Sequence, residues 1–286
     1  MKKAGRGMQY TKEIKGDRAS VKIYCDSFNE RIRIDGYSGN LDEVNEMINK
    51  AAQEAAAEKV IIKSQREHLH YFIENGYELE AYINGYFHGS DAYFLAKFLT
   101  VKRKMSTGWE KSNRILTEVQ KLKPEDKYPL YSYSLQRADI DHAERLAGLY
   151  KRVFPVYPVP LQDAKYVRKS IESGTIFLFV EKSGEIISAA SAEIDKCLRS
   201  AELTDCATLP AFRGGGLMKQ LLNGLEEELV KQEFYCAYTI ARSLSFGMNA
   251  AFRQLGYRYG GRLVNNCYIY DKMEDMNIWW KDLSAL

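Results

Sequence analysis

The run Arg213-Gly214-Gly215-Gly216-Leu217-Met218 is where this chain is best equipped to hold an anion. Glycine has no Cβ, so its N–H can approach a charged oxygen closely. Beyond the glycines, Met218, Leu221, Leu222, Leu225 and Leu229 recur at helical spacing, so a helix begins there. The first turn of a helix has unpaired N–H groups and a partial positive charge. A glycine turn feeding such a start is a cradle for a pyrophosphate. Spacing excludes two common cradles. A P-loop needs Gly-Lys-Ser/Thr, but Lys219 stands apart from Gly216 and is followed by Gln220. A dinucleotide fingerprint needs a third glycine where Lys219 stands.

The remaining pattern is Pro-x-aromatic-Arg-Gly-x-Gly-aliphatic before a helix. It resembles the acetyl-CoA loop of the GNAT N-acetyltransferases, whose usual form is Arg/Gln-x-x-Gly-x-Gly/Ala. Arg213 and Gly216 match; Met218 departs at the last position. A second run, Phe252-Arg253-Gln254-Leu255-Gly256-Tyr257, resembles the family's Tyr-x-x-x-Gly-Phe/Tyr signature, with Phe252 in place of tyrosine. The resemblance implies acetyl-CoA as co-substrate and no metal. It implies that Arg213, Gly214, Gly215, Gly216, Leu217 and Met218 wrap the diphosphate. The backbones of Ala207 and Thr208 then lie near the acetyl group, with Thr208 stabilising the developing oxyanion. Ser245 and Asn249 bond the pantetheine arm.

An acceptor amine must be neutral to attack, so a base is needed. Asp205, three residues before Thr208, is the expected base or ammonium anchor, with Glu202, Glu193 and Asp195 as alternatives. The family's usual general acid is the tyrosine that Phe252 replaces. Tyr235, Tyr238, Tyr257 or water are the substitutes, and a non-catalytic CoA-binding sensor stays open.

These residues need a scaffold. Strands are expected at 131–135, 175–181, 185–194, 200–208, 234–240 and from 257 onward. Helices are expected at 141–154, from Asp163 to about Ser173, after the glycine turn, and at 245–255, closed by Gly256. That order is the one expected of the acetyltransferase fold: α/β (α+β), a mixed sheet flanked by helices. The first half carries an echo. Phe72-Ile73-Glu74-Asn75-Gly76-Tyr77 repeats the spacing from Phe252 to Tyr257, and 41–57 is an alanine-rich helix in the place of the cofactor helix. Its start, Asp35 to Asn40, lacks the Arg-Gly-x-Gly cradle. The expected organisation is a tail at 1–18, a smaller degenerate GNAT-like domain at 19–105, a polar connecting segment at 106–128 with a helical middle that puts Ile115 and Val119 on one face, and the catalytic domain at 129–286.

Composition narrows the partners. Of 286 residues, 45% are hydrophobic and the net charge is +3, which suits a globular protein and gives no nucleic-acid footprint. No apolar run spans a membrane, and five cysteines without a Cys-x-x-Cys suggest neither a disulfide framework nor a zinc site. A cytoplasmic enzyme with a small amine or amino-acid substrate is expected, neither nucleic acid nor membrane being a partner, with a homodimer left open.

From about Ser20 to Trp280 the chain resembles the β-lysine N-acetyltransferases. The likeness is carried by Phe28 to Tyr37, Leu203 to Pro210, Gly247-Met248-Asn249, Asn265-Asn266 and Met276-Asn277. It implies acetylation of the terminal amine of β-lysine to give Nε-acetyl-β-lysine, a zwitterion suited as a compatible solute. Lysine, a polyamine or an aminoglycoside are the alternative acceptors. A diamino acid also needs a carboxylate partner, for which an arginine fork is suited. Arg31, Arg33, Arg199 and Arg242 are the unranked choices, and Arg31, Arg33 and Asp35 share one strand face.

Overall fold

A computed structural model describes residues 9–124, 133–269 and 272–284. The first half contains strands β1 (Gln9–Lys15), β2 (Ala19–Asp26) and β3 (Arg31–Gly39), helix α1 (Leu41–Glu54), β4 (Lys59–Ser64), α2 (Leu69–Glu74), β5 (Glu78–Phe87) and β6 (Ser90–Phe98). Helices α3 (Val101–Lys104) and α4 (Trp109–Gln120) lead onward. The second half holds β7 (Leu135–Arg137), α5 (Ala143–Val153), α6 (Ala164–Glu172), β8 (Ile176–Lys182), β9 (Glu185–Asp195), β10 (Ser200–Thr208), α7 (Leu217–Lys231), β11 (Cys236–Arg242), α8 (Phe246–Gln254), β12 (Arg258–Ile269) and β13 (Lys272–Asp282).

Among the described residues all thirteen strands join one mixed sheet, ordered β1-β2-β3-β4-β6-β5-β12-β13-β11-β10-β9-β8-β7. Apart from β7 at the far border, the order reads alike from both ends toward the middle. Strands β1 to β6 and β8 to β13 follow the same succession, each with one helix after its third strand and one after its fourth. In both, the third and fourth strands pair in parallel and the last two cross over each other. The Phe-x-x-x-Gly-Tyr echo is structural as well. Gly76 (φ +83°) and Gly256 (φ +88°) both turn left-handed. Tyr77 N–H donates to Phe72 O, and Tyr257 N–H to Phe252 O, each at 3.0 Å. Both Phe–Tyr ring pairs meet edge to face, at 5.3 and 5.0 Å.

Each half buries a face of its sheet under its own helix. Val44, Ile48, Ala51 and Ala52 of α1 cover Val21, Ile23, Ile32 and Ile34. Leu217, Leu221, Leu222, Leu225 and Leu229 of α7 cover β8 to β10. Leu217, rather than Met218, opens that buried stripe; Met218 is only partly covered. On the other face the halves share a core, where Ile61, Ile83, Tyr86 and Phe94 pack with Tyr238, Leu263, Met276, Ile278 and Trp280. The halves also join at a seam where Gly261 of β12 pairs with Ala81 of β5. A Cβ at Gly261 would lie 2.3 Å from the Glu80 carbonyl, so only glycine permits that approach. Buried Lys59 bonds Glu80 (2.8 Å) and Val264 O (2.7 Å) across the seam.

Two expectations change. Residues 9–15, placed in a tail, form an edge strand paired along its length with β2; residues 1–8 lie outside the described residues. The connecting segment has its helix at α4, and residues 125–128 lie outside the described residues. Val119 of α4 is buried in the second-half core, and Ser112 Oγ bonds Ser243 Oγ at 2.8 Å. The strand expected at 131–135 is found at Leu135–Arg137, and residues 131–132 lie outside the described residues.

Candidate active site

The site begins where two strands part. β10 and β11 pair in parallel only from Ser200–Cys236 to Glu202–Tyr238. Beyond Glu202, β10 carries a bulge between Thr204 and Ala207, with Asp205 at φ +51°. A bulge adds a residue and bends the strand. A cavity of about 570 Å³ opens there, walled by α5, α7, α8 and the separated strands. Leu209 N–H donates to Ile187 O of β9 at 2.9 Å. Backbone groups alternate sides along a strand, so the N–H of Thr208 points toward the open edge.

At one end of the cleft lies the glycine turn. Gly214 (φ +84°) and Gly216 (φ +78°) are left-handed, a conformation most side chains resist. Gly216 caps α7 with no side chain to offer, and the first intrahelical bond runs from Gln220 N–H to Gly216 O. The N–H groups of the first turn are thus left for a ligand. Arg213, Gly214, Gly216, Leu217, Met218 and Lys219 line the cavity here. Arg213 is oriented by its Nε–H donating to Thr208 O at 3.1 Å. Exposed N–H groups, a helix start and two cations suit the diphosphate of acetyl-CoA, and the cleft beyond them suits its arm.

At the other end stand the acids. Asp205 is buried, 4% exposed, and accepts a bond from Ser191 Oγ at 2.8 Å. Burial, and then the nearby Glu193, push its carboxyl up to about 7, against bonds from Ser191 and Tyr157 that lower it. Glu193 of β9 lies directly opposite Glu202 of β10. Like charges facing across a sheet repel. Burial, then Glu193, push Glu202 up to about 7; Glu193 itself stays exposed at the cavity. Cys206 also lines the cleft, but burial and Asp205 raise its thiol well above the ordinary range, which keeps it protonated and unlike a nucleophile.

The sequence-derived residues separate into two groups. Asp205, Thr208, Arg213, Gly214, Gly216, Leu217, Met218 and Ser245 all line the one cavity. Ser245 stands at the cap of α8 yet makes no capping bond, so its hydroxyl is available to the cleft. Ala207 and Gly215 adjoin the cavity without lining it. Asn249 turns away. It is fully buried, donates to Arg242 O (2.9 Å) and Ser245 O (2.7 Å), and accepts from Asn277 Nδ2 and Trp279 Nε1, both at 2.8 Å. It ties α8 to β13 instead of meeting a pantetheine arm.

The tyrosine substitutes also fall apart. Tyr235 is half exposed and outside the cleft. The Tyr257 hydroxyl is buried beside Glu226, and Tyr238 hydrogen-bonds Glu202. The tyrosine that reaches the cleft is Tyr157, which hydrogen-bonds Asp205 and Thr204. It lies between Pro155 and Pro158 in the loop joining α5 to α6. Only those prolines, which end the helix, mark the loop in the sequence. Of the four arginines, Arg31 is tied to Asp26 (3.0 Å), Arg242 to Glu274 (2.8 and 2.7 Å), and Arg199 to Gln232 O (3.3 Å). Arg33 lines a second cavity beside the acids. Among the described residues no group of three His, Cys, Asp or Glu is placed to hold a metal ion, and no helix is long and apolar enough to cross a membrane.

Known proteins share this architecture. The profile of the acetyltransferase (GNAT) family matches residues 143–257, which span α5 to the end of the Phe252–Tyr257 run. The N-acetyltransferase YodP of Bacillus subtilis is 34% identical over 95% of this chain and 99% of its own. The β-lysine N(6)-acetyltransferase of Methanosarcina mazei is 34% identical over 86% of this chain and 99% of its own. That of Methanococcus maripaludis is 33% identical over 91% and 95%. With identity of that level over both halves, and a cleft built to receive acetyl-CoA, the chain belongs to the GNAT family of acetyl-CoA-dependent N-acetyltransferases.

Proposed function

We propose that this enzyme moves the acetyl group of acetyl-CoA directly to the terminal amine of β-lysine, giving Nε-acetyl-β-lysine. The reading is supported by the two relatives named as β-lysine N(6)-acetyltransferases. The observation that carries it is Asp205, a buried carboxyl near pKa 7 at the bulge where the cleft ends.

An alkyl ammonium has a pKa of about 10.4, so roughly one in a few thousand is neutral at pH 7. Correcting this costs about 4–5 kcal/mol. Ionised Asp205 accepts the proton from the ammonium, and its raised pKa places it where a base works at neutral pH. The freed nitrogen attacks the thioester carbonyl. A C–N bond forms, negative charge grows on the carbonyl oxygen, and the Thr208 N–H on the open edge is suited to receive it. The C–S bond then breaks, the thiolate leaves, and the nitrogen releases its second proton to solvent to give the amide. Phe252 lines the cleft without a proton to give. A thiolate with pKa near 8.5 is a good leaving group and takes its proton from water.

Thiol release from acetyl-CoA tests the substrate. β-Lysine is expected to give the highest kcat/KM in a panel with α-lysine, a polyamine and an aminoglycoside. Equal or faster turnover of any other member sinks the assignment.

A further inference from the structure

Beside the acetyl cleft, β3 and β4 of the first half face β9, β10 and β11 of the second across a cavity of about 390 Å³. Its walls differ in charge. Lys22, Arg33 and Lys63 come from the first half, with Asp35 paired to Arg33; Glu193, Asp195 and Glu202 come from the second. Among the described residues neither glutamate forms a salt bridge, and neither does Lys63. Lys63 Nζ instead donates to Tyr86 Oη at 2.8 Å and lies over the rings of Tyr86 (4.8 Å) and Tyr238 (5.7 Å). Arg33 gives Nε and Nη2 to Asp35 at 2.5 and 3.2 Å, which leaves Nη1 for another acceptor. The two glutamates repel each other, and among the described residues no ion pair with Arg33 or Lys63 closes the gap between the walls, so a zwitterion lying between them would meet charge of the opposite sign at each end.

The spacing suits the substrate. Glu202 borders this cavity and Thr204 borders the acetyl cleft. Two strand residues span about 7 Å. In β-lysine the terminal nitrogen is six single bonds of about 1.5 Å from the carboxylate carbon, about 7–8 Å when extended. An amine beside Asp205 therefore places the rest of the molecule in the second cavity.

We infer that this cavity is the amino-acid subsite, in which Arg33 and Lys63 receive the substrate carboxylate while Glu193 and Glu202 receive its internal ammonium. The inference rests on the reading of β-lysine as substrate. It gives the first half, which has no cofactor cradle, a part in catalysis by supplying the cationic wall that selects an amino acid over a plain diamine.

Calorimetric titration of the full chain saturated with CoA tests this. Three ligands are compared: β-lysine, the matching diamine without the carboxylate, and aminohexanoate, which lacks the internal ammonium. A charge-assisted hydrogen bond is worth about 10–100-fold in affinity. In the wild type, loss of either group is expected to weaken binding about 30-fold or more. In R33M/K63M, β-lysine and the diamine should bind within about three-fold of each other. In E193Q, β-lysine and aminohexanoate should draw together instead. CoA affinity unchanged in each variant shows that the fold is kept, and R33M alone reads the same contrast if the double variant does not fold. Wild-type discrimination surviving in R33M/K63M overturns the inference. Arg33-dependent binding of β-lysine without acetylation overturns the substrate reading but supports the subsite. Acetylation with no carboxylate preference overturns the subsite alone, and absence of β-lysine binding overturns both.

Discussion

The two halves of this molecule share one plan and differ at one helix start. In the second half, α7 begins at left-handed Gly216 with nothing capping it. In the first half, α1 begins at Asn40, whose side chain accepts from Glu43 N–H at 3.1 Å. Asp42 and Glu43 fill its first turn with negative charge, and the Glu43 carboxylate accepts from the N–H groups of Asp17 and Arg18. The positive end that could hold a phosphate is thus answered from within. Nearby, the Tyr37 hydroxyl and His68 Nδ1 share a hydrogen bond at 2.8 Å, and the Tyr37 ring meets Phe72 edge to face. The strands do not make the difference: β3 bulges at Asp35 and leaves β4 after Ile34, much as β10 bulges beyond Thr204 and leaves β11 after Glu202. A cofactor site is therefore a local withdrawal of self-satisfaction at a helix start: the side-chain cap is gone and the first turn holds no acid.

The largest expected effect concerns Asp205, the proposed base at the β10 bulge. Asp205→Asn should lower kcat/KM by about 100-fold or more. Wild-type kcat/KM should rise as pH climbs through about 7, as the carboxyl ionises, and the variant should lack that limb. Stability should move the other way. A folded-state pKa raised above the unfolded value helps at low pH, and that help is lost as pH rises from about 4 through about 7. A carboxyl carried from 3.8 to about 7 gives up about 4 kcal/mol, so the Asn variant should melt higher than wild type at pH 8. A pH–rate profile and melting curves at pH 5 and 8 check both; an unchanged acid limb would remove Asp205 as the base.

Next in size is a pair of glycines. Gly39 (φ +96°) sits where a Cβ would meet Arg18 O at 2.0 Å; Gly214 (φ +84°) has open space around it. Gly39→Val should destabilise the protein by several kcal/mol, from backbone strain and collision together. Gly214→Val should cost only about 1–2 kcal/mol of strain, yet raise the KM for acetyl-CoA at least ten-fold. Denaturant unfolding and saturation kinetics separate the two. Equal losses of stability would show that the glycines do the same work in both halves.

The smallest contrast is between helix caps. Asn40→Ala should cost about 1 kcal/mol of stability and leave the KM for acetyl-CoA unchanged. Ser245→Ala, which removes no capping bond, should change stability by under about 0.5 kcal/mol and raise that KM a few-fold. A Ser245 variant that melts early but binds acetyl-CoA normally would reverse the comparison.

Some of this is legible in the residues themselves. The cradle is readable because left-handed backbone demands glycine at Gly214 and Gly216, and the repeat because Gly76 and Gly256 close helices in the same way. Alternation along β3 places Arg31, Arg33 and Asp35 on one face correctly. It cannot reveal that Arg33 and Asp35, but not Arg31, meet a cavity, since that depends on which strand lies opposite, about 160 residues later in the chain. The bulge at Asp205 is equally hidden. It shifts the facing of every later residue in β10, and alternation carries no sign of an inserted residue. Asn249 escapes for a related reason: its helix position is right, but its side chain finds four partners inward, two of them on β13. Tyr157 sits in a proline-bounded loop, where no periodicity points.

The seam has a practical consequence. Strands β5 and β12, which meet in the middle of the sheet, would each become a bare border if the chain were severed between the halves. Unpaired strand borders recruit other strands, and the glycine that admits Ala81 so closely would leave this one unguarded by any side chain. Isolated fragments are therefore expected to clump rather than report on either half, and the contribution of each part has to be dissected by point changes in the intact polypeptide.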